Sequence, residues 1–349
     1  MSITKNPADD TAAYVAVERL YHSYLTGFIL HVIAHAGAKA AADLVFATFR
    51  RQQLAKFLPG LRKLGLDKLP HAVACAQYHY LSNQVGGVKV EYVYESDRKA
   101  WVRYPPPRWI WTGTAICGVP SEVSRAMLHA WHANNGVVLG NLRVGFVCTG
   151  QTVDGQPGLE GYYWEADRDL APEERLRFAP GEVCPPFDPG KAPRLSDEGW
   201  PEARLRKVLR GYAMEYITSI LPEAITLFGP QQGGHLAGSA ARLIGMHLLD
   251  ETAAALGGIA PGAQGFADYM LRMARGQGDD AELSRDGSAY VVRQTTWRLM
   301  QAREHLSPAV FDAWNELWVG AALAHDRFLR LEVTQRRDRG DGAWEWRIK

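Results

Sequence analysis

Apolar side chains recur at intervals of three or four residues in the first part of the chain. This spacing runs along residues 12–37 and again along residues 40–64, and it predicts two helices. Gly37 lies between them and marks the break, because glycine interrupts a helix more readily than other residues. The same spacing returns over residues 216–257, so a helical pair is predicted twice.

Alternation of apolar and polar residues follows the first helical pair. It appears in residues 88–94 and 100–104, and it predicts a hairpin. A helix over residues 120–132 and two strands over residues 142–148 and 159–165 are expected next. In the second half, the pattern predicts a Gly-rich loop over residues 258–265, then strands over residues 290–293, 328–335 and 343–348.

The two halves of the chain resemble each other. Residues 24–65 align with residues 216–257 without a gap, which pairs Gly37 with Gly229. Helices, strands and turns then follow in the same order in both halves. The sequence therefore predicts two tandem copies of a helical pair plus an antiparallel sheet, related by a pseudo-twofold axis, in an α+β fold.

Composition changes between the two predicted copies. Residues 169–201 are rich in proline and charged residues, which is typical of a stiff, extended linker. We expect this segment to wrap one domain as a strap. The predicted domains are a first α+β repeat at 1–168, the Pro-rich linker strap at 169–201 and a second α+β repeat at 202–349.

The charge and hydropathy of the chain argue against nucleic acid and membranes as partners. The net charge is +1 and both signs are mixed along the chain, so no basic stripe for nucleic acid is present. The most apolar stretch, residues 25–49, is interrupted by charged residues and histidines, so no membrane span is expected. The four cysteines are widely spaced, which favours reduced thiols. These features predict a cytoplasmic protein that binds a small molecule, and they leave a homo-oligomer open.

A group of titratable residues lies within the second helical pair. His247 is followed by Asp250 and Glu251, which share a helix face with it because residues three and four apart are neighbours. A carboxylate in this position orients the imidazole and stabilises its charged form. The spacing indicates a catalytic acid–base group, and the alternative interpretation is an exposed ion pair on a helix.

Aromatic residues and arginines are concentrated in one Pro-rich loop, residues 103–111. Proline restricts the loop, aromatic rings offer apolar area, and a guanidinium group can bind a carboxylate through two hydrogen bonds. The alternative is that the tryptophans fill the core. The predicted substrate-binding residues are Tyr104, Arg108, Trp109 and Trp111, together with Arg242 of the second copy.

Two histidines on the first helix suggest a metal site. His31 and His35 are four residues apart and share one face, and the alignment of the two halves pairs His31 with Glu223. A pseudo-twofold axis could bring these three together as ligands, whereas the plainer interpretation is two solvated histidines. No phosphate-binding loop or nucleophile motif occurs. An organic cofactor is therefore not expected, and a metal remains open.

The end of each copy resembles a known group of proteins. Residues 339–346 (RGDGAWEW) are similar to the terminal Gly-Asp turn and strand of the L-2-amino-thiazoline-4-carboxylic acid hydrolase-like proteins and, more distantly, of the 4-vinyl reductase domains that sense small ligands. The resemblance covers both copies and implies a small-molecule enzyme or sensor. Trp164 and Trp344 stand where those families usually carry a cysteine, so the resemblance assigns no catalytic residue.

These observations support three hypotheses of different kinds. The first is a hydrolase or lyase without an organic cofactor, which acts on a small polar or aromatic carboxylate through His247 and Glu251 and anchors it with Arg108. The second is a non-enzymatic ligand-binding or sensor protein that uses the aromatic loop. The third is a metal-dependent enzyme that uses His31 and His35.

Overall fold

The chain has an α+β fold. The computed structural model describes residues 7–107, 109–195, 198–301, 303 and 305–349, without the side chains of residues 7–10 and 109. Within these residues, long helices accompany two separate sheets. The predicted α+β class is therefore confirmed.

Two compact units make up the chain. The middle unit is Val32–Val208, and the composite unit joins the helix before Val32 to Leu209–Lys349. In the composite unit, the Trp314 indole nitrogen donates a hydrogen bond of 3.4 Å to the Tyr21 hydroxyl. The part of the first helix before Val32 is thus grouped with the second half of the chain because its apolar residues are buried there. The sequence instead places the domain boundaries at 168 and 201.

A five-stranded sheet forms the base of the middle unit. Its helices are the second part of α1 (Pro7–Lys63), α2 (His71–Val85), α3 (Ser121–Ala130) and α4 (Asn135–Val138). Its strands are β1 (Glu91–Ser96), β2 (Lys99–Tyr104), β3 (Val144–Gly150), β4 (Leu159–Glu165) and β5 (Leu176–Phe178). The order is β1-β2-β4-β3-β5, and all neighbours are antiparallel except β3 and β5.

Both faces of this sheet are covered. Helix α2 packs on β1, β2 and β4. On one side of the sheet, Trp101 and Tyr162 pack with Ala179 and Cys184 of the Pro-rich segment. Because both faces are covered, the consecutive residues 100–102 of β2 are all buried.

The composite unit contains the first part of α1, most of α5 (Glu202–Ala255), α6 (Gly262–Gln277) and α7 (Pro308–His325). Its strands are β6 (Ala281–Asp286), β7 (Ala289–Gln294), β8 (Leu331–Gln335) and β9 (Trp344–Ile348). They form an antiparallel sheet in the order β6-β7-β9-β8. Helix α6 packs on β6, β7 and β9, so one face of this sheet contributes to the core.

Helix α6 corrects one prediction. The sequence predicts a loop over residues 258–265, but α6 begins at Gly262. Phe266, Met270 and Met273 are buried at helical spacing, and their burial outweighs the low helix propensity of the glycines. Helix α2 also lies in a segment where the sequence analysis placed no element.

Each long helix contains one non-helical residue. Gly37 in α1 has φ 86° and ψ 164°, and Gly229 in α5 has φ 80° and ψ 162°. Only glycine adopts this conformation without strain, because it has no Cβ. The predicted break at Gly37 is therefore present, and its partner in the sequence alignment has the same conformation.

Helix α1 has the length and composition of a membrane-spanning helix from Thr11 to Lys63. In its most apolar 18-residue window, 33% of the residues are buried. Core helices of other proteins pass the same test of length and composition. The expectation that the chain does not span a membrane therefore stays a prediction.

Candidate functional site

The predicted acid–base group lies on the surface of α5. His247, Asp250 and Glu251 are all exposed, and Glu251 lies 3.7 Å from Arg19. Among the described residues, no hydrogen bond joins His247 to either carboxylate. Arg242, also exposed, is paired with Glu316. The structure thus places these residues on a solvated helix face.

The predicted aromatic loop turns inward where it is described. Tyr104 is 6% exposed and Trp111 is 2% exposed. Arg108 and the side chain of Trp109 lie outside the described residues. Tyr104 and Trp111 therefore contribute to the core of the middle unit, as the alternative interpretation expects.

The predicted metal ligands do not form a cluster in the described part of the chain. His35 is exposed, and His31 and Glu223 are half-buried. No group of three or more histidine, cysteine, aspartate or glutamate side chains among the described residues is arranged to hold a metal ion. The metal-dependent hypothesis stays a prediction.

A buried polar network in the middle unit was missed by the sequence analysis. The Asn135 amide nitrogen donates to His79 Nε2 at 3.1 Å, and His79 Nδ1 lies 3.2 Å from the Tyr104 hydroxyl. The Gln53 amide donates to Asn135 Oδ1 at 3.2 Å. Because Nε2 accepts, the proton is assigned to Nδ1.

Burial sets the charge of this network. It lowers the pKa of His79 to about 3, so the imidazole is neutral near pH 7. The His132 ring stacks on His79 with centroids 4.1 Å apart. These residues are almost fully buried, so the network supports the packing of α2 on the sheet. The sequence did not indicate this network, because α2, which carries His79, was not predicted and because its partners lie far apart in the chain.

An open cavity of about 430 Å³ lies in the composite unit, and we call it the aromatic pocket. Its size is within the usual range for small-molecule sites. Its apolar lining residues are Trp297, Met300, Leu306, Phe311 and Trp344. Its polar lining residues are Thr296, Gln301, Arg303, Ser307, Arg337 and Asp338.

Three rings from three separate segments of the chain build the apolar wall. Trp297 follows β7, Phe311 belongs to α7, and Trp344 begins β9. The Phe311 and Trp344 rings are stacked with centroids 4.3 Å apart, and the Trp297 ring meets Trp344 edge-on at 5.1 Å. Such contacts stabilise both rings and hold their orientation. The three rings therefore hold one another in a fixed arrangement.

Two arginines give the aromatic pocket a positive character. Arg303 donates to the backbone oxygen of Thr218 at 2.8 Å, and Arg337 donates to that of Thr295. Among the described residues, neither of these arginines is paired with a carboxylate. The Asp338 carboxylate instead accepts a hydrogen bond from Arg336, at 2.6 Å. The charges of Arg303 and Arg337 remain to attract an anion.

One buried carboxyl group, that of Asp279, forms hydrogen bonds with residues next to the pocket wall. Asp279 Oδ1 accepts hydrogen bonds from the Thr296 hydroxyl at 3.1 Å and from the Arg298 backbone nitrogen at 2.6 Å. These two residues flank Trp297. Asp279 is 5% exposed, and burial raises its pKa to about 7.

A second, smaller cavity lies beside the Pro-rich segment of the middle unit. It has a volume of about 300 Å³ and contains Arg103 between Glu91 and Glu160, at 2.7 Å and 3.3 Å. Cys184 also lines it, and burial raises the pKa of this thiol to about 12, so the thiolate is not formed near pH 7. The arginine is already neutralised, and the cysteine is not an activated nucleophile.

The described chain therefore offers the aromatic pocket as its best-formed candidate site, with a wall of rings, two arginines and a supporting carboxyl group. The signals for it were present in the sequence as isolated residues far apart. No protein-family model, curated protein or solved structure matches this chain.

Proposed function

We propose that this protein binds a small organic anion with a flat apolar body, such as an aromatic carboxylate, in the aromatic pocket. One observation carries the proposal: a preformed wall of rings lies beside two arginines whose described hydrogen bonds go to backbone oxygens. Rings favour a flat apolar ligand through stacking, and guanidinium groups favour a carboxylate.

Binding or sensing is favoured over catalysis because of the chemistry of the lining. The described residues around the cavity supply apolar area, arginines and hydroxyl groups, and histidine, cysteine and lysine are not among them. The acid–base group of the sequence analysis lies on the exposed face of α5. A ligand-binding or sensor role therefore comes first.

The proposal is tested by titration calorimetry with 2-naphthoate, its neutral amide 2-naphthamide, and the non-aromatic acid octanoate. We expect 2-naphthoate to bind most tightly, because it alone supplies both a flat ring and a negative charge. Equal affinity for acid and amide would reject the role of the arginines. Equal affinity for 2-naphthoate and octanoate would reject the role of the rings.

Arg337→Gln is the matching variant. A hydrogen bond to a charged group contributes about 1.5–3 kcal/mol, so we expect 2-naphthoate affinity to fall roughly 10- to 100-fold, with little change for the amide. Arg285→Gln is the control, because Arg285 is also exposed and also donates to a backbone oxygen, that of Gly287 at 3.0 Å. An equal loss in both variants would indicate a general charge effect.

A second proposal keeps the predicted hydrolase or lyase activity. It is favoured by the spacing of His247, Asp250 and Glu251 on one helix face. Carboxylic acids that bind in the calorimetric titrations are incubated with the protein, and mass spectrometry detects any products. His247→Ala is expected to abolish turnover while leaving the affinity for 2-naphthoate unchanged, and turnover equal to that of the wild type would reject this assignment.

We also infer that the chain arose by duplication of one α+β unit. Gly37 and Gly229, which the alignment pairs, share one unusual backbone conformation. The sheet orders β1-β2-β4-β3 and β6-β7-β9-β8 correspond strand by strand. If the copies have diverged, the pocket of the second copy need not have a counterpart in the first.

A further inference from the structure

Asp279 is held in a buried position at the end of α6. The helix ends at Gln277, the following Gly278 has φ 92°, and the Asp279 backbone nitrogen donates to the Ala274 oxygen at 3.0 Å. This turn directs the carboxyl group into the composite unit, where Asp279 is only 5% exposed. Burial of a carboxylate is costly unless hydrogen bonds compensate for the lost water.

The carboxyl group has a specific structural task. Its Oδ1 atom accepts from Thr296 and from the backbone of Arg298, and so it holds the residues on either side of Trp297. The Asp280 backbone nitrogen donates to the Thr296 hydroxyl at 2.9 Å, which directs the hydroxyl proton toward Asp279. Thr296 and Trp297 both line the aromatic pocket. One oxygen atom thus fixes part of its wall.

The second oxygen of Asp279 is buried and, within the described part of the chain, has no hydrogen-bond partner. A full negative charge on this group is therefore poorly compensated, and burial raises its pKa to about 7. A proton on this group is then gained or lost close to neutral pH.

The charged and titratable groups around Asp279 come from several elements. Arg298 favours the ionised form, and Asp280 opposes it. Tyr21 of α1 is close enough to interact electrostatically. Arg210 of α5 donates to the Gly276 oxygen at 2.9 Å and approaches Gly278. Burial outweighs the attraction of Arg298, which is the reason that the proton is retained at higher pH than usual.

We propose that Asp279 is a positioning residue of the aromatic pocket and that binding of an organic anion there is coupled to proton uptake by this carboxyl group. The inference rests on the proposed function. An anion beside Thr296 repels the ionised carboxylate and favours its protonated form. Coupling is reciprocal, so protonation of Asp279 strengthens anion binding to the same extent.

The protonated carboxyl group still holds the wall, because its Oδ1 atom continues to accept hydrogen bonds. The two forms therefore differ mainly in charge. Asparagine at this position retains an oxygen acceptor without the charge, and alanine removes the acceptor. These two variants separate the electrostatic contribution from the positioning contribution.

The test measures 2-naphthoate affinity at pH 6.0 and pH 8.0, a range in which this acid stays ionised. His305→Gln is the background for all proteins, because His305 is exposed in the loop that carries Arg303 and Leu306. We expect about 5-fold tighter binding at pH 6.0 than at pH 8.0. Asp279→Asn should bind with nearly the same affinity at both values, and Asp279→Ala should bind more weakly at both.

Proton uptake is measured directly by calorimetry at pH 7.0 in Bis-Tris and in Tris, two amine buffers whose ionisation enthalpies differ. The background protein is expected to take up a fraction of a proton per 2-naphthoate, and Asp279→Asn none. Circular dichroism checks that each variant folds, and the comparison with asparagine does not depend on the alanine variant. If binding is present but equal at both pH values and in Asp279→Asn, the coupling is rejected while the binding site stands. If the background protein binds no 2-naphthoate at either pH, both proposals are rejected.

Discussion

Phe311 and Trp344 stack with ring centroids 4.3 Å apart and ring planes 19° from parallel, although the two residues are 33 positions apart in the chain. One ring belongs to α7 and the other to β9. Their contact joins the helix to the sheet and forms part of the apolar wall of the aromatic pocket. This relationship connects the stability of the composite unit with its proposed ligand.

Phe311→Leu is expected to remove the stack while retaining an apolar side chain. Aromatic pairs contribute about 0.5–1.5 kcal/mol beyond their buried area, so the free energy of unfolding should fall by roughly 1–2 kcal/mol and 2-naphthoate binding should weaken. Urea denaturation and calorimetry measure the two effects. Phe328→Leu is the control, because Phe328 is 76% exposed. Equal effects in both variants would contradict the importance of the stack.

Gly37→Ala and Gly229→Ala are each expected to destabilise the protein by roughly 1–2 kcal/mol, because both residues have positive φ. A Cβ at either position meets no other atom, so the cost comes from the backbone alone. Gly211→Ala is the control within α5, and it should stabilise the helix by up to about 1 kcal/mol. Urea midpoints that rise in all three variants would contradict the observed kinks.

Asp279→Asn is expected to change how stability depends on pH. The folded-state pKa is about 7 and the usual value is 3.8, so the folded protein retains a proton that the unfolded chain loses between these values. This contribution to stability is present at low pH and is lost as pH rises through 7. Between pH 4.5 and pH 7, the unfolding free energy of the wild type should therefore fall by roughly 3 kcal/mol relative to that of the variant. Parallel curves of unfolding free energy against pH would contradict this assignment.

His79 is expected to make the middle unit sensitive to acid. Its folded-state pKa is about 3 and the usual value is 6.5, so its contribution to stability is present above pH 6.5 and is lost as pH falls toward 3. Wild-type unfolding free energy should fall by about 1.4 kcal/mol per pH unit in this range from this group alone. His79→Gln should reduce the slope and destabilise the protein at pH 8, because the hydrogen bond between His79 and the Tyr104 hydroxyl is lost. His235→Gln is the exposed control, and an equal slope in all three proteins would reject the assignment.

The local patterns were sufficient for several elements of the fold. Alternation identified β2 and β4, and the break at Gly37 was expected from composition, because these features depend on residues close together in the chain. Helices α2 and α6 were missed. In α2, residues 72–76 are all buried, so the periodic signal is weak. In α6, Phe266, Met270 and Met273 recur at helical spacing, but the glycines before them favour a loop.

Local sequence patterns predicted less of the candidate site than of the fold. An arginine beside aromatic rings was expected near Trp109 and Trp111, and the described pocket instead places this chemistry around Trp297 and Trp344. His247 shares a helix face with Asp250, as expected, but helical spacing does not show whether that face meets the core or solvent. The burial of Asp279 was not expected, because aspartate is almost never fully buried unless it is paired.

From the sequence alone, the α+β class, the kink at Gly37 and the helix face shared by His247 and Asp250 could be determined, because periodicity and glycine content act over a few residues. Only the tertiary structure decided that Phe311 meets Trp344 and that Asp279 holds Thr296. Those contacts join residues far apart in the chain, and the burial that raises the pKa of Asp279 depends on every element packed around it.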